Sequence, residues 1–230
     1  MKILALDCTS SYAAVALCDG DKLLSSYIAD NDTKHSEALL PAVEFLLKQN
    51  HTTVDEIDMI ACAVGPGAFT GVRICVCVAK GLAFGKNISC VPVSTIQALA
   101  YNCTHIDGIV SPVMDARRGQ LYNAVFQSYQ GKLTRLTPDR LITADALAGE
   151  LSEYSDPIYF CGDGSYIALQ HGMANARLLP PLLTPNSAFS VAQVALEKYT
   201  ANPNDDYCHT ILAPVYLRAS QAEREQNNIN

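Results

Sequence analysis

The most informative segment of the sequence covers residues 63–85 and reads AVGPGAFTGVRICVCVAKGLAFG. It predicts a buried strand, a Gly-Pro-Gly loop at residues 65–67 and a helix over residues 69–85. Glycine accepts positive φ and proline fixes its own φ, so the loop is a rigid turn. Backbone N–H groups at a helix N-terminus also bind anions, and Gly67 or Thr70 can present them, so an anion site is the alternative interpretation.

The predicted helix over residues 69–85 is apolar on nearly every side. Its basic residues, Arg73 and Lys80, share one narrow stripe, because seven residues are about 20° short of two full turns. A helix on one face of a sheet needs one apolar side, so an apolar surface all round predicts a cover on both sides. The rest of its surface consists of Ile74, Cys75, Val76, Cys77, Val78, Ala79, Leu82, Ala83 and Phe84.

A second helix is predicted over residues 35–50, HSEALLPAVEFLLKQN, where apolar residues recur with the helical period. Pro41 either kinks this helix or marks its start. The helix carries more apolar residues than one stripe against a sheet requires. We therefore predict that the two helices form a face for dimerisation with another polypeptide. The alternative is that they bury each other within one monomer, because adjacent crossover helices often pack together.

The order of the predicted elements indicates the fold class. The first hundred residues follow the order β-β-β-α-β-α-β-α, and three antiparallel strands followed by alternating units are typical of a ribonuclease-H-like domain with a mixed sheet. The predicted elements are strands at 2–7, 13–18 and 22–28, the helix at 35–50, a strand at 58–64, the helix at 69–85, a strand at 88–93 and a helix capped by Ser94.

The second half of the chain weakly repeats the pattern of strand, Asp, turn and strand. This duplication predicts an α/β protein with the two-lobed actin/Hsp70/sugar-kinase-like fold, a duplicated ribonuclease-H-like fold with mixed sheets. We predict an N-terminal lobe at 1–104, a smaller degenerate second lobe at 105–218 and a polar C-terminal tail at 219–230. The predicted elements of the second half are strands at 109–115, 121–127, 132–136 and 157–161, and helices at 143–153, after Gly164 and at 187–200.

Composition excludes several classes of function. The formal net charge of −7 over 230 residues disfavours a stand-alone nucleic-acid binder, because Lys and Arg supply most non-specific affinity for phosphate. The apolar runs are too short to span a bilayer, and Asp7 interrupts the N-terminal run that resembles a signal peptide. Nine cysteines without a secretory signal indicate free thiols and a cytoplasmic protein. No zinc-ligand spacing is present, so no metal site is expected.

Several turns are candidates for a vestigial nucleotide cleft between the lobes. Asp7-Cys8-Thr9-Ser10 ends the first strand, and Asp115-Ala116-Arg117-Arg118-Gly119 occupies the matching turn of the second half. Asp and Gly are common in any tight turn, which is the structural alternative. The two arginines stand where an ATPase uses small residues, and no Walker, HExxH or GxSxG motif is present. The predicted cleft residues are Asp7, Thr9, Ser10, Asp115, Arg118, Gly162 and Gly164.

The motifs LALDCTS, HSEALLP, AVGPGAFTGVRI, PVSTIQALA, MDARRGQLYNAVF and PVYLR occur in order between residue 3 and about residue 218. Together they resemble the TsaB (YeaZ) family. The resemblance implies an actin-like protein that does not catalyse alone and that pairs with its catalytic paralogue TsaD and the ATPase TsaE. That assembly transfers a threonylcarbamoyl group to the adenosine next to the anticodon of tRNAs reading codons that begin with A.

The resemblance also implies the surfaces and ligands of the chain. ATP and the metal belong to the partner subunits, no cofactor is tightly bound, and tRNA is contacted only through the complex. The histidine pair that binds the metal in the paralogue is missing, because Leu39 follows His35 at the required spacing. The first two helices form the interface, and a homodimer through the same face is possible. The expected interface residues are His35, Leu39, Leu40, Val43, Leu46, Leu47, Arg73, Val76, Cys77, Lys80 and Phe84.

Two rival functions remain open from the sequence. One is an actin-fold ATPase or kinase that uses Asp7 and Asp115. The other is a peptidase, against which the absence of a nucleophile–base motif argues.

Overall fold

The structure is a computed structural model that describes residues 1–29, 35–171 and 175–218. The predicted polar tail at 219–230 lies outside these residues. The elements of the first half are β1 (Lys2–Asp7), β2 (Ala13–Asp19), β3 (Lys22–Ala29), α1 (His35–Gln49), a 3-10 turn (Val54–Glu56), β4 (Met59–Gly65), α2 (Phe69–Ala83), β5 (Ser89–Ser94) and α3 (Thr95–Tyr101).

The second half begins with a run of strands and ends with the longest helix of that half. Its elements are β6 (Gly108–Asp115), β7 (Gln120–Asn123), β8 (Phe126–Tyr129), β9 (Lys132–Arg135), β10 (Arg140–Thr143), α4 (Ala144–Leu151), β11 (Ile158–Cys161), α5 (Ser165–Leu169), β12 (Ala176–Leu178), a 3-10 turn (Pro181–Leu183) and α6 (Ala188–Ala201).

The first sheet has the strand order β3-β2-β1-β4-β5. β1 pairs with β2 in antiparallel register, with Leu4 opposite Leu17, and β2 pairs with β3 in the same sense. β1, β4 and β5 run parallel because helices connect them. The mixed ribonuclease-H-like sheet predicted from the order of elements is confirmed. Ser94 caps α3 as predicted, since its hydroxyl accepts a hydrogen bond from the N–H of Gln97 at 3.1 Å.

The second sheet repeats this topology with the order β10-β7-β6-β11-β12, which establishes the duplicated, actin-like fold. β6 pairs with both β7 and β8, so the single strand predicted at 121–127 is in fact two. The interruption faces Pro112, which has no N–H to donate across the ladder. Asn123 fills this gap, because its side-chain amide donates to the carbonyl oxygen of Pro112 at 3.0 Å and to the Ser111 hydroxyl at 2.9 Å.

Both faces of the first sheet are covered. α1 and α2 pack on one face, where they form a core cluster with side chains such as Leu6 and Leu17. On the opposite face α6 packs, and its Val191, Ala192 and Ala195 join a second cluster with Ile3 and Val91. α3 contacts both this cluster and the core of the second sheet. The two sheets therefore share a continuous interior around α3.

Residues 207–218, which we name the strap, also lie on the first sheet. The carbonyl oxygen of Tyr207 accepts a hydrogen bond from the N–H of Cys90 at 2.7 Å, and the N–H of Val215 donates one to the carbonyl oxygen of Val64 at 2.8 Å. The sequence prediction placed α6 and the strap in the second lobe, and in the structure both pack on the first. The physical reason is that each face of this sheet is apolar and needs a cover.

Candidate functional site

The helical face predicted as the interface is largely hidden inside the monomer. Leu39, Val43, Leu46 and Leu47 of α1 are 0–7% exposed, and Val76 of α2 is 4% exposed. These side chains belong to the core cluster that α1 and α2 share with the first sheet. Leu39, Leu46 and Val76 cannot contact a partner without opening that core, so the alternative of mutual burial within one monomer holds for them. Val43 and Leu47 also line a shallow surface cavity, so their assignment to a partner surface stays a prediction.

Other members of the predicted interface do reach the surface. Leu40 is 51% exposed and Phe84 is 77% exposed, and the thiol of Cys77 is exposed on α2. Phe45, which the prediction omitted, is 54% exposed on α1. A shallow cavity of about 450 Å³ lies beside Leu40, between α1, the first 3-10 turn and Leu82 of α2. An apolar surface remains along these helices, but it is narrower than the sequence indicated.

His35 is directed at its own chain and is half-buried. One ring nitrogen, Nε2, lies 2.8 Å from the carbonyl oxygen of Ser10. Gly71 packs between this ring and the backbone of Cys8, where a Cβ on Gly71 would collide with the carbonyl oxygen of Cys8. His35 therefore supports the turn after β1 rather than an interface.

The strap is the second cover that the apolar surface of α2 required. Leu212 of the strap is buried in the same core cluster as α1 and α2. The ammonium group of Lys80 donates to the carbonyl oxygen of Thr210 at 3.2 Å, and Nε of Arg73 donates to the Tyr216 hydroxyl at 2.8 Å. Arg73 and Lys80, the basic residues of α2, thus form hydrogen bonds with the chain's own strap.

The Gly-Pro-Gly loop braces the turn after β1. The N–H of Ala68 donates to the carbonyl oxygen of Thr9 at 2.7 Å. A Cβ on Gly67 would collide with Thr9, so only glycine permits this approach. This close packing explains why residue 67 is glycine, and Pro66, Gly67 and Ala68 also line a cavity between the two sheets.

A cavity of about 850 Å³ opens between the two sheets. Its wall is built by the turn after β1, the loop before α2, the turn between β6 and β7, and the end of the strap. The cleft predicted between the lobes is therefore present. Its lining includes Thr9, Ser10, Asp115 and Arg118 of the predicted set, together with Phe69, Arg73, Arg117, Asp163, Tyr216 and Arg218.

Asp7 lies beneath this cleft and is 1% exposed. One carboxylate oxygen accepts hydrogen bonds from the N–H and hydroxyl of Thr9 at 2.8 and 2.6 Å, and the other accepts from the Asn186 amide at 3.0 Å. Burial raises the pKa of the carboxyl, and these hydrogen bonds oppose that rise. The prediction of Asp7 as a cleft residue is corrected: its hydrogen bonds hold the turn after β1, and its carboxylate is buried beneath the cleft.

Gly162 and Gly164 are not part of the cleft wall either. Gly162 has a φ of +94° and approaches the carbonyl oxygen of Val113 too closely for a Cβ. The N–H of Gly164 donates to the same carbonyl oxygen at 3.1 Å. Both glycines serve the packing of α5 against β6.

The turn between β6 and β7 has an uncommon backbone. Arg117, Arg118 and Gly119 take φ values of 66°, 58° and 72°, all in the left-handed region that disfavours arginine. The Asp115 carboxylate accepts from the N–H of Arg117 at 2.7 Å and from its guanidinium at 3.1 Å. Arg218 of the strap donates to the carbonyl oxygen of Ala116. Contacts from both sides hold the turn in this conformation.

Asp163 supports the same turn from the second lobe. Its carboxylate accepts a hydrogen bond from the N–H of Asp115 at 2.9 Å. Burial raises the pKa of the Asp163 carboxyl; the hydrogen bond from the N–H of Asp115 opposes that rise, and the negative charge of the Asp115 carboxylate adds to it. Sequence reasoning missed the cleft roles of Arg73 and Arg218, because no spacing rule links residues so distant along the chain.

The structure contains few other groups that suggest chemistry. Among the described residues, no three His, Cys, Asp or Glu side chains gather where they could hold a metal ion. All nine cysteines are free thiols, and most of them are buried. Within the described ranges, every helix is too short or too polar to cross a membrane.

Comparisons with known proteins relate this arrangement to a family. A family model described as "TsaD: tRNA N6-adenosine threonylcarbamoyltransferase" matches residues 22–225. The chain is 37% identical over 162 residues to "tRNA threonylcarbamoyladenosine biosynthesis protein TsaB" of Bacillus subtilis (strain 168), covering 70% of this chain and 71% of that protein. It is 34% identical to the protein of the same name from Escherichia coli (strain K12) over 55% of each chain.

A solved structure agrees with the sequence relatives. YeaZ from Pseudomonas aeruginosa superposes with a TM-score of 0.79 and 27% sequence identity, and the match covers 94% of this chain and 99% of that chain. The similarity thus extends over the first sheet, the cleft and the second sheet. The chain belongs to the TsaB (YeaZ) family, within the wider family that the TsaD model describes.

Proposed function

We propose that this chain is the non-catalytic dimerisation subunit required for formation of threonylcarbamoyladenosine in tRNA. It binds and supports the catalytic paralogue TsaD, together with the ATPase TsaE, while the threonylcarbamoyl group passes to the adenosine next to the anticodon. The tRNAs concerned read codons beginning with A. The names of the relatives support a role in the biosynthesis of threonylcarbamoyladenosine in tRNA. Binding to TsaD and TsaE goes beyond those names and is part of the proposal.

The observation that carries the proposal is the apolar surface that the monomer leaves on α1 and α2. Leu40 and Phe45 on α1 and Phe84 directly after α2 are each more than half exposed, while the opposite sides of both helices pack on the first sheet. Single exposed apolar residues are common on protein surfaces, but the shallow cavity beside Leu40 is also lined by Val43, Leu47, Val54 and Leu82, and such an apolar groove suits a partner helix. The proposal includes a homodimer through the same surface as a second pairing, with the free chain open to either state.

The geometry of the cleft supports a non-catalytic role. Asp7 is sealed by Thr9 and Asn186, and the Asp115 carboxylate is paired with the Arg117 guanidinium. Neither carboxylate is free to serve as the general base or metal ligand of an ATPase. The proposal accordingly leaves ATP and the metal to the partner subunits, lets tRNA bind through the complex and places the chain in the cytoplasm.

The test is to mix the purified chain with TsaD and TsaE and to measure modified adenosine in tRNA. Leu40→Asp adds a charge to the exposed surface of α1, and we expect it to abolish co-elution with TsaD and to reduce modification at least about tenfold. Tyr166→Asp is the matched control, because Tyr166 is a large exposed residue (70%) on α5. Leu46→Asp is unsuitable, since a charged aspartate at this buried position would unfold the monomer.

Two results would refute the proposal. One is an unchanged complex peak for Leu40→Asp with a folded protein by circular dichroism. The other is modification of tRNA by TsaD and TsaE at full rate in the absence of this chain.

A further inference from the structure

The cleft gathers positive charge in a protein that is acidic overall. Arg73 from α2, Arg117 and Arg118 from the turn between β6 and β7, and Arg218 from the strap line one cavity, whose acidic lining residues are Asp115 and Asp163. The chain as a whole carries a formal net charge of −7. Like charges that converge on one cavity repel each other, so their convergence favours a bound anion.

The arginines differ in how far the chain itself engages them. Arg117 is neutralised by the Asp115 carboxylate. The guanidinium of Arg73 lies 3.8 Å from the centroid of the Phe69 ring and uses Nε to donate to Tyr216. Arg218 donates through one terminal nitrogen to Ala116. Across the described ranges, Arg118 has no hydrogen bond or ion pair, although it lines the cavity.

Arg73, Arg118 and Arg218, which we name the cleft arginines, come from separate elements. All three line the same cavity. A carboxylate is satisfied by one planar fork, whereas a phosphoryl group offers oxygens in a tetrahedral arrangement and accepts from several guanidinium groups at once. The arrangement accordingly favours a phosphoryl group. A cavity of about 850 Å³ also has room for a ligand larger than a single phosphate.

The carboxylates of the cleft are not arranged to hold a cation beside the anion. Asp7 is sealed beneath the turn, and Asp115 is paired with Arg117. Asp163 already accepts a hydrogen bond from the N–H of Asp115. The charge of a bound phosphoryl group would thus be balanced by guanidinium groups. Balance by guanidinium groups distinguishes the cleft from a metal-dependent nucleotide site. The sequence already argued against such a site, because Arg117 and Arg118 stand where an ATPase uses small residues.

We infer that the cleft binds the phosphoryl group of an anionic ligand through the cleft arginines, without a metal ion. Two sources offer this chemistry: a free polyphosphate anion and the backbone phosphates of RNA. The inference does not depend on the proposed dimerisation role, because the cleft and the exposed surface of α1 and α2 are formed by different side chains. Its failure and the failure of that role are therefore distinguishable.

The test uses the full chain in magnesium-free buffer with a chelator. Pyrophosphate is titrated by calorimetry, and a fluorescent single-stranded RNA is titrated by anisotropy. Arg118→Asn removes the unpaired charge with a residue that tolerates positive φ, and we expect binding to weaken about tenfold or more. Arg73→Lys keeps the charge but loses the fork, and we expect a smaller loss. Arg177→Gln is the charge-matched control, since Arg177 is exposed on β12 outside the cavity.

The possible outcomes separate cleanly. Saturable binding of either probe that is weakened by Arg118→Asn and unchanged by Arg177→Gln supports the inference. Displacement of RNA by pyrophosphate assigns both sources to one site, whereas binding of RNA alone identifies the backbone as the source. The inference is overturned if the wild-type chain binds neither probe, or if Arg177→Gln weakens binding as much as Arg118→Asn does. A melting temperature for each variant confirms that the fold is retained.

Discussion

Two turns occupy equivalent places in the two sheets, one after β1 and one after β6, and both begin with aspartate. In each, the carboxylate accepts the N–H two residues along, at 2.8 Å from Thr9 and 2.7 Å from Arg117. The first turn is buried and is completed by Asn186. The second opens on the cleft and carries two arginines in the left-handed region.

One local motif thus supports two roles, according to what packs around it. Around Asp7, α2 and the residues before α6 exclude water, so the carboxylate serves the stability of the fold. Around Asp115 the turn faces the cleft, and the side chains of Arg117 and Arg118 stay exposed there, so the turn is available for binding. The following changes test this contrast, beginning with the largest expected effect.

Replacing the two aspartates separately is the strongest test. Asp7→Ala leaves the N–H and hydroxyl of Thr9 without an acceptor in a buried site and removes one of the two acceptors of the Asn186 amide, which keeps the Thr9 hydroxyl oxygen. We expect it to lower the free energy of unfolding by about 3 kcal/mol, and Asp115→Ala by about 1 kcal/mol or less, because water replaces the lost acceptor there. Urea denaturation measures both values. Equal losses would show that the two turns do not differ in the way described.

Removing the contact between the strap and the second turn has a smaller expected effect. Arg218→Met keeps the apolar stem but loses the donor to the carbonyl oxygen of Ala116. We expect a loss of about 1 kcal/mol in the free energy of unfolding and faster amide hydrogen exchange at residues 115–120. Exchange near Thr9 provides the internal control and should not change. Unaltered exchange in both turns would mean that the strap does not hold the second one.

Removing backbone strain from the turn after β6 is a third test of the difference between the two turns. Arg118 has a φ of 58°, where a non-glycine residue is strained. We expect Arg118→Gly to stabilise the protein by about 0.5 kcal/mol, since strain relief of order 1 kcal/mol is partly offset by the entropy of glycine. Ser11→Gly in the first turn is the control, and there we expect no gain. Destabilisation by Arg118→Gly would argue against strain at this position.

The weakest effect concerns the pH dependence of stability. Burial raises the pKa of the Asp163 carboxyl above its ordinary value of 3.8, so the folded chain binds this proton more tightly than the unfolded chain. Stability therefore falls as the pH rises from about 3.8 to the raised folded pKa, and the loss persists above it. We expect Asp163→Asn to flatten this slope and to raise the melting temperature at neutral pH. Asp21→Asn, at an exposed turn, should leave the curve unchanged.

The order of elements was predictable because it depends on local periodicity. The apolar pattern of α1 and α2, the strands of the first sheet and the capping of α3 by Ser94 all follow from neighbouring residues. The four-residue β10 and the three-residue β12 were missed. Strands this short carry too few residues for a period, and they exist because a neighbouring strand supplies hydrogen bonds.

The candidate site was predicted only in part. Glycine and aspartate marked the turns, and Arg118 was placed correctly at the cleft. The sequence could not distinguish a carboxylate that lines the cleft from one sealed below it, because Asp7 and Asp115 make the same local hydrogen bond. Nor did it reveal that Asn186 would complete the first turn.

Periodicity along the chain was enough to establish the two-lobed α/β fold and the need of α2 for a cover on two sides. What provides that cover was decided by tertiary packing, where residues more than a hundred positions away along the chain return as the strap and engage Arg73 and Lys80. The same packing buried Leu46 and Val76, left Leu40 and Phe84 outside, and brought the cleft arginines together. Apolar patterning states how much surface must be hidden, but only the folded chain determines which segment hides it.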